Sequence, residues 1–370
     1  MNETQGHLVY LLYCAVNGIV PDKTRVQEMD LDQLYELAKR HSVEAAVYVA
    51  LHRADITDGR FYQDYNKSIA RNLYLDIERK SILADLEKDG IWYMPLKGAI
   101  LKELYPKAGM RQMSDNDILF DPSRQSRVRE IMEAHGYRVR KYGRFHHDEY
   151  YKPPVMYFEM HLELFGTDRT GALYQYFADT GRLLKKDTDN RFGRHLSDED
   201  FYVYLTAHEW RHYSEGGTGI RSLLDCYVYC RAKGHSLDWD YISAQMKQLG
   251  LERFEQARKA LAIELFSSES MPALNEEQTE MLTYYFASGT YGSLENRVSH
   301  EISHQSKTKF ILKNLFPSME YMRRSVRFVN QCPALYPAGL VYRLGCALFR
   351  DRKTTIRRIK AVGNNDHKQV

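Results

Sequence analysis

The stretch Arg111-Gln112-Met113-Ser114-Asp115-Asn116-Asp117-Ile118-Leu119-Phe120 sets the fold of this 370-residue chain. Asp115 and Asp117 flank a single residue where an apolar run opens. Side chains alternate across a strand, so both carboxylates are expected to leave on one face. Like charges that close repel each other unless a cation neutralises them. Oxygen-only ligands suit Mg²⁺ or Mn²⁺ that also grips a phosphate. Such ions serve phosphoryl and nucleotidyl transfer by activating the attacking oxygen and stabilising the leaving one. Asp187 and Asp189, Asp198 and Asp200, and Asp238 and Asp240 repeat the spacing. They stand in loop or helix-cap contexts, where Asp accepts backbone N–H bonds.

Working outward, Ile91-Trp92-Tyr93-Met94-Pro95-Leu96 reads as a strand, Lys97-Gly98 as a turn, and Ala99–Tyr105 as a helix broken by Pro106 and Gly109. Beyond Asp121-Pro122, Ser123–Ala134 is amphipathic with Val128, Ile131 and Met132 on one face. Gly136 closes it, and Tyr137–Lys141 reads as a further strand. His147–Lys152 and Val155–Phe165 form a β pair around Pro153-Pro154. In the second, Glu159, His161 and Glu163 alternate with Met160, Leu162 and Leu164, which places all three polar groups on one face. Glu159 and Glu163 are therefore the candidates for a third carboxylate. The first ninety residues carry helical periods, in Leu31, Leu34, Leu37 and Ala38 and again in Leu73, Ile77, Leu83 and Leu86. After Gly166 the helical period returns and is expected to persist to about residue 313. The fold class is α+β. A small mixed-sheet unit over 91–166 is flanked by an N-terminal helical region (1–90), a larger helical domain (167–313) and a basic C-terminal helical segment and tail (314–370).

The order Leu96-Lys97-Gly98-Ala99, Leu104-Tyr105-Pro106, Arg111, Ser114-Asp115-Asn116-Asp117-Ile118-Leu119 and Gly136-Tyr137 resembles the nucleotidyltransferase fold of the DNA polymerase beta superfamily. More narrowly, it resembles a large family of bacterial nucleotidyltransferase-like proteins. Glu159-Met160-His161 matches that family's acidic residue two before a histidine. His208-Glu209-Trp210-Arg211-His212, Gly216-Gly217-Thr218-Gly219-Ile220-Arg221 and Asp225 match its helical part. The resemblance covers roughly residues 20–350, with its specific motifs between 96 and 225. It implies transfer of a nucleoside monophosphate from an NTP, with ATP among the donors, to an unidentified acceptor: a small molecule, a protein or an RNA end. Metals would sit on Asp115, Asp117 and, by position, Glu159, with Glu163 in reserve. Lys97, Gly98, Arg111 and Ser114 would bind nucleotide, and His161, His208, His212, Arg221 and Asp225 would border the site. The superfamily usually carries Gly-Ser where this chain has Lys97-Gly98. Gly98 would let backbone N–H groups approach phosphate; Lys97 would either neutralise phosphate or stand solvated at the turn. Arg111 would bind the triphosphate or form a structural salt bridge. A catalytically inactive relative that binds nucleotide or a partner is the alternative.

His208-Glu209-Trp210-Arg211-His212 also fits H-E-x-x-H, the zinc metalloprotease pattern of two histidine ligands and a general base. Arg211 intrudes where that helix is normally uncharged, and Tyr213-Ser214-Glu215 offers no third-histidine continuation. Gly216-Gly217-Thr218-Gly219 lacks a P-loop ending, and Thr218 as a helix N-cap explains it. Cys226 and Cys230, one helical turn apart, read as a buried helix face.

The 44% hydrophobic and 27% charged fractions exclude a mainly disordered or fibrous chain. Five scattered cysteines imply no disulfide framework. Asn2 and Glu3, rather than basic residues, precede the apolar Leu8–Val16 run, and a soluble, cytoplasmic protein is expected. The net charge of +3 hides an asymmetry: residues 307–362 carry a local excess of +11. Basic residues alternate there with Phe310, Phe316, Tyr321, Phe328 and Phe349. Three readings stand: a solvated helical cap, contact with an anionic membrane surface, or nucleic-acid binding.

Overall fold

The computed structural model describes residues 1–166, 171–269, 273–290 and 307–350, together with residues 292, 298, 302, 352, 355–357, 360 and 362. The chain divides into two compact units, residues 1–210 with 219–290, and residues 211–218 with the described residues after 290.

The first unit is α+β. Helices α1 (Glu3–Asn17), α2 (Lys23–Gln27), α3 (Leu31–Arg40) and α4 (Glu44–Arg53) precede the 30-residue α5 (Gly59–Lys88), about 45 Å long at 1.5 Å per residue. Side chains cap several of these starts: Asn2 and Gln5 form a capping box on α1, and Asp30 and Asp58 accept first-turn N–H bonds on α3 and α5. Then come β1 (Tyr93–Pro95), α6 (Gly98–Leu101), β2 (Asn116–Phe120), α7 (Gln125–Ala134), β3 (Arg138–Lys141), β4 (His147–Lys152) and β5 (Met156–His161). Gly136, at φ +80°, makes the tight exit from α7 that an L side chain resists.

The five strands form one mixed sheet in the order β1-β2-β5-β4-β3. Only the β2–β5 pair is parallel. One face buries Ile118, Phe120, Tyr150, Phe158 and Met160 against Leu75, Ile82 and Leu86 of α5 and Val128, Ile131 and Met132 of α7. On the other face, Met94, Leu96 and Leu119 join a core with Phe165, Tyr204 and Ala207. That core is built on α8 (Ala172–Phe177), α9 (Asp198–Glu215), α10 (Ile220–Lys233) and α11 (Trp239–Leu249); α12 (Glu252–Phe266) packs on α10 and α11, and α13 (Glu276–Ser288) lies beside it. Cys226 and Cys230 lie on the inner side of α10, the first buried and the second half-buried.

Four expectations are corrected. β5 stops at His161 rather than Phe165, because the Leu162 and Glu163 N–H groups both donate to the His146 carbonyl (2.8 and 3.3 Å) and curl the chain off the sheet. The segment after Gly166 is not all helical: β6 (Lys185–Lys186) and β7 (Arg194–His195) make a short hairpin before α9. On α5, Leu73 and Ile77 are exposed and Ser68, Asn72 and Leu75 are buried, since this part of the helix faces the carbonyls of a loop. The N-cap of α10 is Gly219, not Thr218.

The second unit contains the helices Lys307–Leu315, Met319–Ser325, Arg327–Gln331 and Tyr336–Gly345. Met322, Val326 and Val329 form its small core, and Gly339 packs so closely that a Cβ there would stand 2.6 Å from Val329. Phe316, Val341 and Phe349 are 61%, 71% and 86% exposed, a surface that no described part of the unit covers. No helix among the described residues is long and apolar enough to cross a membrane.

Candidate active site

The parallel pairing of β2 with β5 puts Asp117 directly opposite Glu159. Asp115 lies just before β2, two residues from Asp117. The antiparallel pairing of β5 with β4 then sets His147 opposite His161 and Glu149 opposite Glu159. Alternation carries all of these side chains to one face, while Ile118, Phe158, Met160 and Tyr150 fill the core on the other. The sheet thus concentrates acids and histidines on a single polar patch.

The charges there are interlocked. The Lys97 ammonium donates to Asp117 at 2.6 Å, and His161 Nε2 meets the same Oδ1 at 2.9 Å. Burial opposes ionisation of Asp117, yet Lys97 and His161 hold its carboxyl well below the usual range. Burial likewise works against the Lys97 ammonium, and Asp117, with Tyr204 and Glu159 behind it, keeps it above the ordinary lysine value. The solvated reading of Lys97 is therefore corrected: it is a partly buried counter-ion. Burial, then the charges of Asp117 and Glu159, pushes the Asp115 carboxyl up to about 6, although Lys97 and the Ser114 hydroxyl (2.9 Å) pull the other way. Glu159 also pays for burial, but His161, with Nε2 3.5 Å away, holds it below the usual carboxylate value.

The loop leading into β2 is fastened from two sides. From α5, Ser68 donates to the Gly109 carbonyl (2.7 Å), Asn72 to that of Arg111 (3.0 Å), and Arg71 to that of Ser114. Arg79 donates to the Asn116 side chain at 2.9 Å, and Asn116 in turn donates to the Leu75 carbonyl. From α10, Asp225 accepts a two-pronged Arg111 guanidinium (2.8 and 3.0 Å) and the Tyr105 hydroxyl (2.7 Å). The salt-bridge reading of Arg111 is the one observed. Arg221 reaches the Gln112 carbonyl from the same helix. Gly98 is explained by packing: a Cβ there would stand 2.5 Å from the Met113 sulfur and 2.6 Å from the Arg111 guanidinium. Lys97 sits at φ +46°, a left-handed conformation that costs a lysine about 1–3 kcal/mol. Its ion pair with Asp117 lies across that turn.

Asp115, Asp117, Glu159, His161, Lys97 and Ser114 are thus brought together, with Arg111, Asp225 and Arg221 behind them. Glu163 lies beyond the end of β5. His208 and His212 lie on α9, and no metal-ligand group among the described residues includes either. Glu209 is spent on structure: Oε2 accepts Arg258 (2.7 Å) and Oε1 the Tyr285 hydroxyl (2.6 Å), all buried. The zinc-protease reading is left without its general base. Sequence reasoning missed His146, His147 and Glu149. The signal was present in His147 and Glu149, which alternate along β4 as Glu159 and His161 do along β5.

The mixed sheet thus sets Asp117 on β2 against Glu159 on its parallel neighbour β5, with Asp115 just before β2. The chain belongs to the uncharacterised nucleotidyltransferase family, whose profile matches residues 27–267. No curated protein and no solved structure matches it.

Proposed function

We propose that the chain moves a nucleoside monophosphate from an NTP to an acceptor hydroxyl, forming the acceptor O–Pα bond as the α–β phosphoanhydride breaks and pyrophosphate leaves, at a divalent-cation site held by Asp115, Asp117 and Glu159. The observation that carries this reading is the Asp117–Glu159 register with Asp115 two residues away. Oxygen donors of this kind fit Mg²⁺ or Mn²⁺, and a ligand atom from each of Asp117, Glu159 and His161 lies within 4.8 Å of the others. A nitrogen donor among the oxygens inclines the set toward Mn²⁺. When bound, such an ion offsets phosphate charge and favours an ionised acceptor oxygen.

The protein's own groups do the rest. Lys97, which pairs with Asp117, would be free to turn its charge to the triphosphate where Asp117 held a cation. Glu159 lies at the edge of the acid group and accepts the acceptor's hydroxyl proton. Ser114 orients Asp115 through its hydroxyl, and the Arg111–Asp225 fork keeps the loop in register. The basic C-terminal unit meets an anionic lipid surface through its exposed Phe316, Val341 and Phe349, and co-sedimentation with anionic but not neutral vesicles checks that contact.

One observation favours a second reading, a non-catalytic nucleotide-binding relative: Lys97 already neutralises Asp117 at 2.6 Å. Incubation with α-labelled NTP, Mn²⁺ and a sugar phosphate, protein or RNA-end acceptor separates the two. Label transferred by the wild type and lost in Asp115→Ala supports catalysis. Nucleotide bound with no label transferred to any acceptor class supports the second reading.

A further inference from the structure

Next to the carboxylates, three imidazoles converge. His147 on β4 faces His161 on β5 in register, and His146 precedes His147. One ring nitrogen of each lies within 4.8 Å of the other two. His146 Nε2 and His147 Nδ1 are 3.2 Å apart. Two nitrogens bound tetrahedrally to one ion at about 2.05 Å stand about 3.3 Å from each other, so this pair already has the spacing of one edge. His161 is 2% exposed and spends Nε2 on Asp117, while its Nδ1 is buried without a hydrogen-bond partner. A ring that gives one nitrogen to a carboxylate and has the other left over is the usual arrangement of a metal-ligating histidine.

We infer that His146, His147 and His161 form a transition-metal site of Zn²⁺ type, with Glu149 and Glu159 as carboxylate partners of the His147 ring. Three imidazoles suit a borderline ion and not Mg²⁺, which gives this site a different preference from the oxygen-rich one beside it, with which it shares His161. The carboxylates flank the other nitrogen of the His147 ring, Nε2 lying 3.5 Å from Glu149 and 3.9 Å from Glu159, where the outer partners of a metal-ligating histidine stand. The pocket is also built around His146, since a Cβ on Gly166 would collide with the His146 Cβ. Bound across the ends of β4 and β5, the ion would lock the strand that carries Glu159. The site does not rest on nucleotidyl transfer, because its donors are imidazoles and its readout needs no nucleotide.

The test is Co²⁺ titration of the chelator-treated full chain, followed by the visible absorption of tetrahedral Co²⁺ and by competition with Zn²⁺. The expected result is one ion per chain, displaced by Zn²⁺, with affinity reduced more than about tenfold in His147→Gln and His146→Asn. Far-UV circular dichroism establishes that each variant is folded, and either folded variant suffices. Asp115→Asn should bind Co²⁺ as the wild type does. Absence of saturable binding, binding unchanged in a folded histidine variant, or equal loss in Asp115→Asn would each overturn the site. A chain that binds Zn²⁺ here but fails to transfer label keeps this inference and loses the catalytic one.

Discussion

Asp117 on β2 and Glu159 on β5 are partners across a parallel strand pair, although 42 residues of chain separate them. Parallel neighbours need a crossover, and here α7, β3 and β4 supply it. The crossover also delivers His147 and Glu149 to the far side of β5. Acids therefore collect where backbone pairing, rather than side-chain flexibility, fixes their separation. That rigidity is what a metal-dependent transfer requires of its ligands.

Lys97 stands in for a cation at Asp117. Lys97→Met should destabilise the metal-free protein by about 1–3 kcal/mol, the usual cost of leaving a buried charge short of a partner. Excess Mg²⁺ or Mn²⁺ should restore part of that loss, and more than it adds to the wild type. Thermal unfolding with and without the ions checks this; a variant indifferent to both would show that the ammonium does not occupy cation space.

Asp115 gives the metal-free protein a defined pH dependence. Its carboxyl is raised from 3.8 to about 6 on folding, so between those values the folded chain holds more protons than the unfolded one. This group's contribution is therefore most favourable below about pH 4 and is lost as pH rises through 6. The penalty at pH 7 is about 3 kcal/mol at most. Asp115→Asn should accordingly stabilise the metal-free protein at pH 7 by up to that amount and change little at pH 3.5. Denaturant midpoints at the two pH values measure it, and equal effects at both would contradict the charge crowding described.

Part of this arrangement was legible in the sequence. Period-two alternation exposed Asp115, Asp117, Glu159 and His161, because a strand's facing pattern is local. The pairing order is not local, so periodicity did not show that Glu159 would face Asp117, which only the family resemblance implied, or that His147 would face His161. Lys97 meets Asp117 from 20 residues away, and Arg111 meets Asp225 from 114. Helical periodicity found α5 and the inward Leu83 and Leu86, but not that Ser68 and Asn72 turn inward to serve a loop and leave Leu73 and Ile77 outside. β6 and β7, two residues each, are too short to have a period.

Glu209 belongs to the helical core. Arg258 is 2% exposed and bonds both Glu209 and the Thr206 hydroxyl (3.0 Å). Arg258→Met should cost about 3–5 kcal/mol, because it strands a buried carboxylate. Chemical denaturation measures the loss. A fully stable variant would return Glu209 to the pool of residues available for chemistry.

The central claim, that NTP and a divalent ion meet at Asp115 and Asp117, is tested most directly by thermal unfolding with each of the four NTPs, with and without Mn²⁺ or Mg²⁺. At about 100 times Kd, bound nucleotide should add about 2.7 kcal/mol to the apparent stability. The account predicts a Tm rise that needs both nucleotide and metal in the wild type and is absent from Asp115→Ala. No rise with any NTP, or an equal rise in the variant, would contradict it.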